Sequence, residues 1–261
     1  MRVVITGSGS SWADADRSSA SQVIEVGGKP LLFDCGPGTG MSLMKAGINL
    51  TAIDRIFLTH LHMDHSLEAP SLIFESYLMG KNGKFDLYGP AGTAHFWRLL
   101  TMHVYPYAPE IVRRIRKDGF RVTPHEAARG LVCRAKKYRV FSAQTEHGIP
   151  CIAFRIESGN DAVVISGDTR PSQSVIRLAK GADLLIHECS FPDDMIEFAR
   201  ITHHSVPSEV GEVANQAGVK KLVLTHLFPH CKGREREMVR SVKRKFSGDV
   251  IAGHDLLEIK V

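Results

Sequence analysis

No apolar run in the chain approaches the roughly 20 residues needed to cross a bilayer, so no membrane-spanning helix is expected. Cysteine is sparse: Cys35, Cys133, Cys151, Cys189 and Cys231 make five, an odd number, widely scattered. That argues against a disulfide framework and for a reducing cytoplasm, with the thiols acting as small core hydrophobes. No tract rich in proline, glycine or serine, no low-complexity segment and no internal repeat interrupts the 261 residues. A single domain over 1–261 is the simplest expectation. The opening Met1-Arg2-Val3-Val4-Ile5-Thr6-Gly7 is too soon broken by glycine for a signal peptide and reads as a first strand. Nor is there an extreme of charge: 33 Lys and Arg against 28 Asp and Glu leave +5 and a pI near 9.0. That permits an anionic substrate without requiring one. One basic run holds Arg113, Arg114, Arg116 and Lys117. A second, Arg234, Arg236, Arg240, Lys243, Arg244 and Lys245, has helical spacing with Glu235 and Glu237 interleaved. It reads as the wet face of a C-terminal helix, with nucleic-acid contact as the lesser reading.

What is present is an ordinary core, 43% hydrophobic against 23% charged, arranged in alternating strand-like and helix-like segments. Strands are expected at 22–26 and 30–34 around the turn Gly27-Gly28-Lys29, then at 52–59, 85–88, 138–142, 151–157, 162–166, 184–187 and 221–225, with two short ones closing the chain through 250–260. Helices are expected at about 41–46, 68–79, 91–118, 171–180, 207–217 before the stop signal Gly218, and 233–246. The Gly-rich Cys35-Gly36-Pro37-Gly38-Thr39-Gly40 reads as turn chemistry rather than a phosphate loop.

The octapeptide Thr59-His60-Leu61-His62-Met63-Asp64-His65-Ser66 packs three imidazoles and a carboxylate just past an apolar strand. Open α/β sheets build their sites at that end of a strand. Nitrogen and oxygen donors converging this tightly suit zinc or a related divalent metal. The absence of cysteine inside the cluster separates it from closed structural zinc sites, so an open catalytic site is expected. Later polar residues stand at strand ends in apolar surroundings: His147 after Glu146, Asp168 after Val163-Val164-Ile165-Ser166-Gly167, and His226 after Leu222-Val223-Leu224-Thr225. Any one of them could be a satisfied core histidine or a turn aspartate. Three together, beside the 59–66 cluster, point to the rest of a metal site.

Phe33-Asp34-Cys35-Gly36, the His60/His62/Asp64/His65 motif, His147-Gly148-Ile149-Pro150, Gly167-Asp168-Thr169, His187-Glu188-Cys189-Ser190-Phe191, His204-Ser205 and Thr225-His226 run almost end to end. Together they resemble the metallo-β-lactamase superfamily, in its ribonuclease Z-like and arylsulfatase-like branch. The resemblance implies an α/β fold, a four-layer αββα sandwich with the site along one edge of two sheets. It implies two divalent metal ions, Zn²⁺ first, with Mn²⁺ and Fe²⁺ as alternatives. His60, His62 and His147 would hold one; Asp64, His65 and His226 would hold the other; Asp168 would bridge them, with a hydroxide between. Two metals about 3.5–4 Å apart suit an in-line displacement, clamping both the attacking and leaving oxygens. The resemblance further makes Asp64 the group that orients or deprotonates the water. It makes His204, steered by Glu188, the group that protonates the leaving oxygen or stabilises the transition state, and Asp34 a support behind the ligands. His203 competes with His204 for that role.

The chain departs from the branch in one respect. Members that process transfer RNA carry a long arm between the third ligand motif and the bridging aspartate. Here only two strands and the turn Ser158-Gly159-Asn160-Asp161 separate His147 from Asp168. The segment 91–137 could instead cap the metals, with Trp97, Tyr105, Tyr107, Arg113 and Arg114 as lining candidates that read equally well as packing and surface residues. The expectation is a dinuclear-metal-dependent hydrolase whose hydroxide attacks a phosphodiester or similar anionic ester. The alternatives are a tRNA 3′-end endonuclease, an arylsulfatase or other small-ester hydrolase, and a non-catalytic metal-binding protein. The expected partner is a small anionic ester, or else RNA. Homodimers are common in the branch, without a sequence signal for one here.

Overall fold

The computed structural model describes residues 1–104 and 108–261. The first half of the chain builds one sheet from β1 (Arg2–Gly7), β2 (Ser21–Val26), β3 (Lys29–Phe33), β4 (Arg55–Phe57), β5 (Lys84–Gly89) and β6 (Arg121–Glu126). The second half builds another from β7 (Gly130–Arg134), β8 (Arg139–Gln144), β9 (Ile152–Ser158), β10 (Asp161–Ile165), β11 (Leu184–Glu188), β12 (Lys221–Thr225) and β13 (Asp249–Ala252). The last strand, β14 (Leu257–Lys260), returns to pair with β1. The sheet orders are β14-β1-β2-β3-β4-β5-β6 and β13-β12-β11-β10-β9-β8-β7. Each sheet changes from antiparallel to parallel pairing part-way across, at β3 in one and β10 in the other.

Alternation along the strands sets the layers. In β1, Val3 and Ile5 face the space between the sheets, while Val4 faces the outer helices. In β11, Leu184 and Ile186 face inward and Leu185 faces outward. Period-two side chains on two doubly covered sheets give three apolar interfaces and four layers. The middle interface is anchored by Phe33, Phe57 and Tyr88 stacked in series at 4.8 Å, with Phe154 of the other sheet edge-on to Phe33 and Phe57 at 5.6 Å. Each such pair contributes ~0.5–1.5 kcal/mol beyond its buried area.

The outer layer of the first sheet comprises α1 (Thr39–Lys45), α2 (Met63–Ser66), α3 (Ala69–Leu78), α4 (Thr93–Leu99) and α5 (Ala108–Lys117). The second carries α6 (Gln173–Ala179), α7 (Ile196–Ile201), α8 (Pro207–Ala217) and α9 (Glu235–Lys243). The four-layer αββα expectation therefore holds. The predicted stop at Gly218 is also met, at φ 62. The expected 233–246 helix is shorter, Glu235–Lys243, and at its start Gly233 stands outside the right-handed region at φ 78.

The segment 91–137 differs more. Residues 121–126 and 130–134 are β6 and β7, the edge strands of the two sheets. Pro124 in β6 masks the strand signal, and an edge is where a sheet tolerates it. Trp97 is buried against Phe74 rather than lining a cleft. Arg113 is exposed and paired with Glu110. Tyr105 and Tyr107 lie outside the described residues.

Candidate metal centre

The seven predicted ligands come from five segments of the chain and meet at one edge of the sandwich. The loop after β4 carries His60 and His62, and α2 carries Asp64 and His65. The loops after β8, β10 and β12 carry His147, Asp168 and His226. Close packing fixes the loops. Gly36 has no room for a side chain, since a Cβ would stand 1.9 Å from the carbonyl oxygen of Asp64. Cys35 N–H donates to the His65 carbonyl at 2.7 Å, which seals the turn after β3 onto α2. Gly167, at φ 61, would likewise push a Cβ to 2.9 Å from Thr59.

His60 Nε2, His62 Nδ1, His147 Nε2 and an Asp168 oxygen form one group, and Asp64, His65 and His226 form another, each with its donor atoms within 4.8 Å of one another. His60 Nε2 and His62 Nδ1 stand 2.9 Å apart, and His147 Nε2 is 3.4 Å from the same His62 nitrogen. His226 Nε2 lies 3.2 Å and His65 Nε2 3.7 Å from Asp64 Oδ2. Asp168 stands between the groups. Its Oδ2 is 3.6 Å from both His60 Nε2 and His226 Nε2, and its Oδ1 is 3.4 Å from His65 Nε2. His65 Nε2 and Asp168 Oδ1 are buried without a hydrogen-bond partner among the described residues. Orphaned donors of this kind are costly unless something else satisfies them, and a divalent cation would. The donor set fits such an ion in chemistry as well as in position.

The far nitrogens of the rings explain why the near ones converge. His65 Nδ1 is held by Asp34 Oδ2 at 2.8 Å. His226 Nδ1 is held by Ser190 Oγ at 2.9 Å, His147 Nδ1 by the His203 carbonyl at 3.2 Å, and His60 Nδ1 by Thr59 Oγ1 at 3.1 Å. Each partner accepts from Nδ1–H, which turns Nε2 toward the centre. His62 is the exception and presents Nδ1. Asp34 also accepts from Thr59 N at 2.7 Å and from Thr59 Oγ1 at 2.9 Å. Asp34 (φ 55), His203 (φ 61) and His226 (φ 57) adopt left-handed backbone conformations that non-glycine residues rarely adopt, a concentration typical of functional sites.

Burial, with help from neighbouring imidazoles, holds His60 well below the ordinary histidine range, and burial also lowers His62 and His147. All three are therefore neutral donors. His65 goes the other way. Burial opposes its charge, but the carboxylates of Asp168, Asp34 and Asp64 override burial and raise it to about 10. Burial would likewise raise Asp64 and Asp168, yet the surrounding histidines bring Asp64 to about 2 and Asp168 well below its usual range.

Glu188, fully buried, is not available as a ligand. Its Oε1 accepts from Thr169 N, Ser205 N and His204 Nδ1, each at 3.1 Å, and its Oε2 accepts from Ser190 N and Ser190 Oγ at 3.1 and 2.8 Å. Burial would lower the His204 pKa, but the Glu188 carboxylate overrides it and raises it to about 9. His204 also lies 4.0 Å from Asp168 Oδ2 and lines the cleft over the centre. His203 instead turns its carbonyl to His147. His187 is buried with Nδ1 2.6 Å from the Glu188 carbonyl and takes no part in either donor group.

The cleft has a volume near 560 Å³. It is lined by His62, Asp64, Asp168, His204 and His226 together with Trp12, Phe191, Phe198, Phe228 and His230, and Phe228 packs against the His204 and His226 rings at 5.9 and 5.6 Å. Sequence reasoning missed these aromatic residues as lining, because isolated aromatics carry no periodic signal. It also missed Ser190 and Thr59, although both lie inside segments that stood out.

Residues 1–241 match the family model described as Anti-Pycsar protein Apyc1. Over 310 aligned residues the chain is 29% identical to a ribonuclease Z of Methanosarcina acetivorans, covering the whole of this chain and 98% of the relative. It superposes on the metallo-beta-lactamase fold protein YhfI of Bacillus subtilis with a TM-score of 0.83 and 25% identity, covering 99% of each chain. It superposes on the short form of human tRNase Z, ELAC1, with a TM-score of 0.79 and 26% identity, covering 100% of this chain and 99% of that one. The chain belongs to the Anti-Pycsar protein Apyc1 family and is a metal-dependent hydrolase of metallo-β-lactamase fold in the ribonuclease Z-like branch.

Proposed function

We propose that the protein hydrolyses a compact phosphodiester, of about the size of one nucleotide, at a dinuclear metal centre. The observation that carries this reading is the cleft: a volume near 560 Å³ lined both by donor residues and by aromatic side chains. Small-molecule sites typically occupy ~300–1,000 Å³, and aromatic side chains offer stacking faces to a nucleobase. The tight β9–β10 connection, which leaves no room for an RNA-docking arm, also favours a compact substrate over a folded RNA.

In this reading His60, His62 and His147 hold one metal ion, Asp64, His65 and His226 hold the other, and Asp168 is shared. Zn²⁺ is the first choice, with Mn²⁺ and Fe²⁺ as alternatives, because the donors are nitrogen and oxygen with no thiolate. Bound there, the ions would supply Lewis-acid polarisation and a water of lowered pKa. The chain's own residues do the rest. Asp64, whose carboxylate stays ionised, orients the attacking water. His204, with Nδ1 fixed by Glu188, carries a proton on Nε2 for the leaving oxygen. Phe191, Phe228 and His230 pack together and exclude water from one side of the cleft. Five free, buried cysteines support a reducing cytoplasm as the compartment.

The test uses protein of counted metal content and four substrates: bis(p-nitrophenyl) phosphate, p-nitrophenyl sulfate, a cyclic mononucleotide and a pre-tRNA transcript, with Asp168→Ala as control. Turnover of the diester and the cyclic nucleotide, lost in the control, supports the proposal. Cleavage of the transcript alone would replace it with a tRNA endonuclease, and sulfate turnover alone with a sulfatase.

A further inference from the structure

The loop that carries Trp12 is closed at its base by a Gly9 N to Ser18 carbonyl hydrogen bond of 2.9 Å, held along its length by Lys232 on Asp16 at 2.6 Å, and tied by a carboxylate far away in sequence. Trp12 is 55% exposed and sits on the loop between β1 and β2, edge-on to Phe228 at 6.1 Å and 5.3 Å from the His230 ring. Its own backbone is weakly held, by a long 3.5 Å contact from Trp12 N to Ser10 Oγ. The two ends of its loop, by contrast, are gathered by Asp255. Asp255 Oδ1 accepts from Ser8 N at 2.9 Å and Ser8 Oγ at 2.7 Å, and Oδ2 accepts from Ser18 N at 2.6 Å. Arg17 strengthens the same knot, donating to Ser8 Oγ at 2.8 Å, to the Gly253 carbonyl at 2.7 Å and to Glu235 at 3.2 Å. Ser8 in turn accepts at its carbonyl from Leu227 N at 2.9 Å, beside His226 and Phe228. The knot thus joins the Trp12 loop, the segment after β12 and the C-terminal segment, and Asp255 lies beyond the stretch matched by the family model.

We propose that Asp255 is a positioning residue for substrate binding: by tying Ser8 to Ser18 it holds Trp12 as the outer wall against which a planar group of the substrate lies. This rests on the reading of the cleft as the substrate site. Charge-assisted hydrogen bonds to backbone N–H groups are among the strong ones, and a carboxylate bridging both ends of a loop removes the freedom that would let its tip swing away. Asp255 touches neither donor group, so losing it would weaken binding and leave the chemical step in place.

The experiment uses a Trp97→Phe background, which leaves Trp12 as the sole tryptophan. Asp255→Asn, Asp255→Ala and the milder Ser8→Ala are compared with Trp12→Ala. The readouts are bound metal, kcat and KM on bis(p-nitrophenyl) phosphate, and acrylamide quenching of Trp12 fluorescence. Expected are a KM raised about tenfold in Asp255→Ala with kcat within about twofold, stronger quenching, and unchanged metal content. Trp12→Ala should raise KM by a similar factor, and Asp255→Ala should add nothing on top of it. Unchanged quenching in Asp255→Ala, or a full additional KM rise in the Trp12→Ala background, overturns the proposal. If the native enzyme turns over no diester, the functional reading fails, and quenching alone decides whether Asp255 holds the loop. If Asp255→Ala does not fold, Asp255→Asn and Ser8→Ala carry the same comparison.

Discussion

Asp34 Oδ2 lies 2.8 Å from His65 Nδ1, and this contact decides which face of the His65 ring meets the centre. The same carboxylate is locked by Thr59 through two further hydrogen bonds, so it cannot swing in to become a ligand itself. Asp34→Asn is expected to weaken metal binding by about 10–100-fold at the Asp64/His65/His226 group, as the loss of such a supporting group generally does. Competition with a chromogenic chelator would show two affinities, one of them shifted. Two unshifted affinities would mean that the contact does not matter for binding.

Glu188 and His204 predict a pH profile. His204 carries its proton below a pKa of about 9, so a proton-donating role loses rate as the pH rises through that value. Bound cations nearby would pull the value down, while the Glu188 carboxylate holds it up. Glu188→Gln removes that carboxylate charge, and the alkaline limb of kcat should move toward neutral pH, with a rate loss of roughly 10–100-fold at pH 8. An alkaline limb that stays in place would assign it to some other group.

Metal removal should change how stability responds to pH. His65 is raised to about 10 and His204 to about 9 in the folded, metal-free chain, against an ordinary 6.5 once unfolded. A raised histidine stabilises the fold fully below its unfolded value and loses that contribution as the pH climbs through its folded value. The Tm of chelator-treated protein should therefore fall between pH 6.5 and 10. Metal-loaded protein should be flatter across the same window, because a bound cation replaces the proton among the carboxylates. Melting curves at matched ionic strength would show this, and parallel slopes for the two forms would refute it.

The thiols should be silent. All five cysteines are free and buried, and burial raises Cys231 to about 12 and Cys35, Cys151 and Cys189 well above the usual thiol range. Thiolate is the reactive form, so a disulfide reagent at pH 8 should label no thiol rapidly in the native protein and five after denaturation. A fast-reacting thiol in the native state would show that the core opens locally.

Much of the sandwich was readable because its strands are short apolar runs closed by glycine or by a polar residue. Val163-Val164-Ile165 and Leu222-Val223-Leu224 each end two or three steps before a histidine or aspartate that has no business in a core. The edge strands β6 and β7 were not readable. An edge strand is half-paired and half-wet, so it tolerates Pro124, and its burial pattern does not alternate cleanly.

The local order of residues by itself determined the metal-site chemistry. Residues 59–66 place imidazoles and a carboxylate within one turn of each other, and no tertiary fold is needed to see that such donors suit a divalent cation. Tertiary structure alone decided everything that depends on residues distant in the chain. It set the His204 ring against Glu188 and turned the His203 carbonyl to His147. It assembled the aromatic lining from Trp12, Phe191, Phe198, Phe228 and His230, and it brought Asp255 back to the loop that carries Trp12. The physical reason is that a ligand motif is set by covalent spacing, whereas a cleft is set by which loops the two sheets bring to one edge.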